Sequence, residues 1–156
     1  NIKPNQPKAL MLAKRQLSEL VCDAVNLEGI NFTLPEIQTL LDGVTIGGHK
    51  LSDQTIALNQ GKAWEFLFKA IESKAFVLDK TFCCTLHNIA AKDEVLEWGH
   101  FRTGGVTIAG TEHMPPKADQ LDSVWESMIE DSNNMTPMTD LMKSCLDPRV
   151  IEIMTE

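Results

Sequence analysis

Apolar positions recur at helical spacing along most of this chain. Leu10, Ala13, Leu17, Leu20, Val21 and Ala24 fall three and four apart, which predicts an amphipathic helix over residues 7 to about 27, stopped near Gly29. Thr33-Leu34-Pro35-Glu36 has the form of a capping box and starts a short helix to about Asp42. Gly43, Gly47 and Gly48 then interrupt the pattern, and Ser52 is placed to cap a long helix with Ile56, Ala63, Trp64, Leu67, Phe68 and Ile71 on one stripe. Gly61 lies inside that helix, where it costs ~1 kcal/mol relative to Ala. Asp79 caps a further helix through Phe82, Leu86, Ile89 and Ala90 to about Lys92, and a short helix is expected over 93–98. Pro116 stands at the first turn of a helix with Leu121, Val124, Trp125, Met128 and Ile129 as its stripe. Thr136-Pro137 repeats the start signal for a last helix through Leu141, Met142 and Cys145, and Pro148 opens a C-terminal turn.

One stretch departs from this rhythm. Residues 101–116 read FRTGGVTIAGTEHMPP, with the β-branched run Val106, Thr107 and Ile108 set between Gly104-Gly105 and Ala109-Gly110. That is strand and turn chemistry, and it predicts a small β-hairpin or flap on a helical body. A two-stranded hairpin is marginal alone in water, so its outer edge is free to take up an extended peptide as another strand.

Composition narrows the picture. The 156 residues are 43% apolar, enough for one domain, taken as 1–156. Twenty-two acidic against 14 basic residues give a net charge of −8, which removes the electrostatic footprint of a nucleic-acid or anionic-lipid binder. Proteins and small molecules remain as partners, with self-association left open. No apolar run reaches the roughly 20 residues of a membrane span and the first residues carry no secretory h-region, so a cytoplasmic protein is expected. The chain opens on Asn1 rather than Met, as an internal piece of a longer polypeptide would.

Most chemistry-bearing side chains have a plain structural reading. Cys22, Cys83, Cys84 and Cys145, like His49, His87, His100 and His113, do not follow zinc-ligand spacing, and the cysteines read as reduced, mostly buried thiols. Trp64 and Trp125 fall on apolar stripes as core residues, and Asp93, Glu94 and Glu97 form a solvated helix face. Gly47-Gly48-His49 has the glycines of a phosphate loop without its Gly-Lys-Ser/Thr ending or a preceding strand. Asp42-Gly43 is compatible with a simple helix end.

The order TLLDGVTIGGHKLSD, a long helix, then WGHFRTGGVTIAGTEHMPPKADQL resembles the N-terminal part of a Fic-family (filamentation induced by cAMP) protein, over roughly residues 35–125. The resemblance implies an all-α, Fic-like helical bundle with a small β-hairpin flap. It implies two sites as well. Asp42 and Gly43 take the place of the Glu-Gly of the family's inhibitory element, and Gln38 the place of its Ser/Thr. Arg102, Gly104, Gly105, Val106, Thr107, Ile108, Ala109 and Gly110 correspond to the flap that docks the target protein. Known members mostly move AMP from ATP, with Mg²⁺, to a hydroxyl of a target protein. The family's catalytic signature, His-Pro-Phe-x-Asp/Glu-Gly-Asn-Gly/Lys-Arg, is absent from these 156 residues, so no catalytic or metal-binding residue is assigned and the chain as given is expected to be inactive. The competing expectation is a non-catalytic module that docks an extended peptide at the flap.

Overall fold

The computed structural model describes residues 5–134, and the expected helix at 136–145 and turn at Pro148 lie outside them. In order these residues form α1 (Gln6–Arg15), α2 (Leu17–Leu27), α3 (Leu34–Leu41), α4 (Leu51–Glu72), α5 (Lys80–Ala90), and a 3₁₀ turn (Ala118–Gln120) running into α6 (Leu121–Asn134). The described part of the chain is all-α and contains no strand.

Four features differ from those expected. The first helix is broken at Gln16, whose N–H is shared between the carbonyls of Leu12 and Ala13 at 3.1 Å each, a local tightening of the turn. The break separates helices with different tasks. α1 buries no residue, whereas α2 buries Val21, Cys22 and Val25. The long helix begins at Leu51 with Lys50 as its cap residue, and the Ser52 hydroxyl donates instead to the adjacent Asp53 carboxylate at 3.2 Å. Asp79 caps α5 as expected, accepting from the Phe82 N–H at 2.7 Å. Residues 93–98 form turns rather than a helix, with Asp93 at φ 65, and Pro116 precedes the 3₁₀ turn instead of entering a helix.

α4 is the central element, packed by α2 and α3 on one side and α5 on another. Its buried positions are Gln54, Ala57, Asn59, Gly61, Ala63, Phe68 and Ala70, while Ile56, Trp64, Leu67 and Ile71 are half-buried. Small residues therefore make the innermost seam. Gly61 shows why: a Cβ there would stand 2.7 Å from Cδ2 of Leu41, the last residue of α3. The helix propensity lost at Gly61 permits the close crossing of α3 over α4.

The first core gathers Val21, Cys22, Val25, Phe32, Ile37, Leu40 and Ala57 from α2, α3, α4 and the α2–α3 connection. A second joins Phe101 to Leu121, Trp125 and Met128, with Cys83 and Cys84 of α5 against it. Full burial of an Ile37 or Leu121 side chain, both almost inaccessible, stabilises the fold by about 1.5–3 kcal/mol each.

Candidate functional site

The two sequence-predicted sites are attached to different cores. Asp42 and Gly43 end α3, on the first core; residues 102–116 start from Phe101, in the second.

At the end of α3 the backbone closes in a Schellman motif. The Gly43 N–H donates to Leu40 O at 3.0 Å and the Val44 N–H to Thr39 O at 3.1 Å, with Gly43 at φ +85. A left-handed residue is required there, and glycine takes it without a Cβ penalty. Asp42 is the exposed cap residue before it, at φ −75 and ψ 2. The Asp-Gly pair is thus a built helix stop that leaves the carboxylate in solvent.

The loop that follows is held at several points. Buried Gln54 bonds Ile46 in both directions: its Oε1 accepts from the Ile46 N–H at 3.2 Å and its Nε2 donates to Ile46 O at 3.0 Å and His49 O at 3.4 Å. The His49 ring stacks on Phe32 with centroids 4.1 Å apart, and its Nε2 lies 3.1 Å from Glu36 Oε1. Glu36 also accepts from the Thr33 N–H at 2.8 Å and the Thr33 hydroxyl at 2.7 Å, so the glutamate half of the expected capping box is made. These Thr33 and His49 contacts pull the Glu36 carboxyl down to about 2. Of Gly47-Gly48-His49, the histidine is packed and both glycines are exposed.

Residues 102–116 contrast with it. No hairpin forms: the segment bends at Thr103-Gly104, turns at Ala109-Gly110, and has no strand on either arm. The expected β-hairpin flap is corrected to an irregular loop. The returning arm explains this, since it ends in Pro115-Pro116, which offer no N–H to a ladder, and Thr111 is its sole β-branched residue. The Thr111 hydroxyl accepts from the His113 N–H at 3.1 Å, a local turn that competes with strand pairing.

What closes the loop is Arg102. Only 6% exposed, it donates through Nη1 to Gly104 O at 2.8 Å and through Nη2 to Pro116 O, joining the two ends of the segment. Its Nε is buried with no hydrogen-bond partner, and no carboxylate among the described residues pairs with it. Phe101 anchors the base, tilted on Trp125 at 5.9 Å with Lys80 Nζ 4.3 Å over its ring. Beyond this clip, Gly104, Gly105, Thr107, Ile108, Ala109 and Gly110 are exposed and Val106 is half-buried.

The remaining candidates are structural. Cys22, Cys83 and Cys84 are free thiols, and burial raises all three, Cys83 to about 11, so none is poised as a nucleophile. Among the described residues no group of three or more His, Cys, Asp and Glu is arranged to hold a metal ion, and no helix is long and apolar enough to cross a membrane. Cys145 lies outside the described residues. Gln54 and Asn59 were missed as organising residues. Asn59 donates to Lys92 O at 2.9 Å and ties the segment after α5 to α4. Their sequence signal is polar residues inside the strongest helix, at positions that polar-out patterning assigns to solvent.

No protein-family model matches the chain, and no curated protein does. Among solved structures, a Fic family protein from Desulfovibrio desulfuricans G20 superposes with a TM-score of 0.67 at 21% sequence identity, over 82% of this chain. The match takes in 38% of that protein's own length. At this identity the likeness is one of architecture, and it agrees with the helix order and packing described above: the chain has a Fic-like, all-α fold.

Proposed function

We propose that this chain is the regulatory and target-docking part of a cytoplasmic Fic-type nucleotidyltransferase, whose complete form moves AMP from ATP to a hydroxyl side chain of a target protein. The observation that carries the reading is the 102–116 loop: an exposed, backbone-rich segment whose two ends are clipped by one buried guanidinium. Such a loop offers unpaired amides and carbonyls to an extended peptide while its base stays fixed.

We infer that ATP and Mg²⁺ are held by other parts of the complete protein. Phosphate binding needs backbone amides at a helix start together with a free cation, and metal binding needs a placed acid. Arg102 is committed to carbonyls, and Lys117 stands before a three-residue 3₁₀ turn, its N–H bonded to Gln120 Oε1 at 3.2 Å. No step through the nucleotide is assigned to this chain, which favours a docking role for it.

Three measurements test the reading. Incubated with labelled ATP, Mg²⁺ and cell lysate, the chain should give background labelling, because loss of a general base alone removes ~10²–10⁴ in rate. Hydrogen exchange at residues 105–108 should slow when an extended target-derived peptide is added. Labelled protein above background would place the chemistry inside this chain, and unprotected amides at every peptide concentration would remove the docking role. In a polypeptide carrying the His…Gly-Asn-Arg loop, Asp42→Gly should raise transfer if Asp42 is the inhibitory acid. An unchanged rate there leaves Asp42 as a helix-end residue.

A further inference from the structure

We propose that the cleft between α1 and the end of α4 is a docking groove for an acidic amphipathic helix of another protein. The inference is independent of residues 102–116 and of nucleotide transfer.

α1 is a helix without a buried residue, and Met11 is 50% exposed. Pro7, Leu10, Met11 and Lys14 recur at helical spacing along its inner side and, with Ile71 of α4, line a cleft of about 500 Å³. That volume falls within the ~300–1,000 Å³ of clefts that hold ligands. An apolar floor between two helices is the shape that accepts a third helix through residues at i, i+3, i+4 and i+7.

Charge identifies the occupant. The rim carries Lys14, Arg15 and Lys74, against a single acid, Glu72, which is already bonded to Lys14. In a chain of net charge −8, this is a concentration of positive charge beside apolar surface. The α1 dipole leaves this positive charge unchanged, because the cleft is lined from the helix's first residue, Gln6, to its last, Arg15. The negative end of α4 opposes it weakly, because its last carbonyls are occupied: Lys74 N–H donates to Ile71 O at 3.2 Å and Ala75 N–H to Ala70 O at 2.8 Å. A helix presenting leucine or isoleucine to the floor and carboxylates to the rim is complementary on both counts.

Two other occupants fit less well. An anionic bilayer would meet the rim without filling the concave floor. A second copy would set the same Lys14, Arg15 and Lys74 rim against itself in a two-fold contact.

The probe is a fluorescein-labelled amphipathic peptide with leucines at i, i+3, i+4 and i+7 and flanking glutamates, compared with a twin in which lysines replace the glutamates. By anisotropy, the full chain should bind the glutamate peptide at least about tenfold more tightly than the lysine twin, and high salt should erase the difference. Met11→Asp and Arg15→Glu should each weaken binding about tenfold without moving the thermal midpoint, since both side chains are exposed. Equal binding of the two peptides, or no effect of either substitution, overturns the proposal. So does flotation with phosphatidylserine vesicles in the absence of peptide binding, or a concentration-dependent dimer that Met11→Asp abolishes.

Discussion

Residues 43–50 and residues 102–116 both connect helices, both contain a glycine pair and a β-branched apolar residue, and are held in opposite ways. The first loop is fixed at two points within it, Ile46 and His49: Gln54 bonds both, His49 stacks on Phe32, and Glu36 closes the set. The second is held at its base, by Arg102, by Phe101 and by the Thr103 hydroxyl on the Glu97 carboxylate. Among the described residues, each buried polar residue serves a loop: Gln54 the first, Arg102 the second, and Asn59 the turns after α5. A helical bundle spends its interior polar groups where backbone leaves the helices, because amides and carbonyls there lack the partners a helix supplies. The two loops differ in where that backbone is held, the first at points within it and the second at its ends.

Gln54→Leu should break the contrast most severely. It removes three hydrogen bonds and leaves the Ile46 N–H and C=O, with His49 O, to find new partners. The expected cost is ~2–4 kcal/mol, read as a fall of roughly 4–16 °C in Tm for a chain of this size. Amide exchange should accelerate at 43–50 and stay unchanged at 103–115. Equal acceleration in both loops would show that they unfold together and that the contrast is only apparent.

Arg102→Met should act on the other loop. Two charge-assisted bonds are lost, but a buried guanidinium with an unpartnered Nε goes with them, so the net cost is about 1–3 kcal/mol. Limited proteolysis should then cut within 103–115 before the body opens, whereas Arg102→Lys, unable to reach two carbonyls at once, should nick at an intermediate rate. If cleavage is unchanged in both variants, Arg102 does not close the loop.

The same residue type tests the comparison directly. Ile46 is half-buried and packed on the first core, whereas Ile108 is 46% exposed. Ile46→Ala should cost ~1–2 kcal/mol, below the ~2–5 of full burial, and Ile108→Ala within ~0.5 kcal/mol. Chemical denaturation of the two variants separates these values. A larger loss at Ile108 would mean that the 102–116 loop is packed in solution.

The helices were legible because their apolar spacing is long and regular, and the stop at Asp42-Gly43 because only a few residues accept a positive φ. Gly61 was legible as a weakness and not as a crossing point, since its role depends on Leu41, twenty positions away along the chain. The hairpin was misread for a related reason. Val106-Thr107-Ile108 satisfies strand propensity locally, but a ladder needs a second arm, and Pro115-Pro116 cannot supply one. Arg102 was placed in the flap by resemblance, yet its burial and its two carbonyl partners depend on residues up to 14 positions away.

The smallest effect expected concerns acid. Glu36 is held at about 2 by its Thr33 and His49 contacts, below the ~4.3 of an unfolded glutamate. A carboxyl lowered on folding stabilises the native state fully above its unfolded value, and that contribution is lost as pH falls from about 5 towards 2. The pair with His49 is partly open to solvent, which keeps its share small. Glu94 works in the opposite sense, because burial and then Glu28 raise its carboxyl, so protonation there favours the folded state. Global unfolding therefore mixes the two signs, and the measurement has to be local. Amide exchange at residues 43–50, corrected for its intrinsic pH dependence, should show protection falling between about pH 5 and 3 while residues 103–115, whose ends Arg102 ties to carbonyl oxygens, keep theirs. Glu36→Gln should abolish the acid step and leave the first loop at its low-pH protection at every pH. A step that persists in Glu36→Gln would place the titrating group elsewhere and remove Glu36 from the set of anchors that separates the two loops.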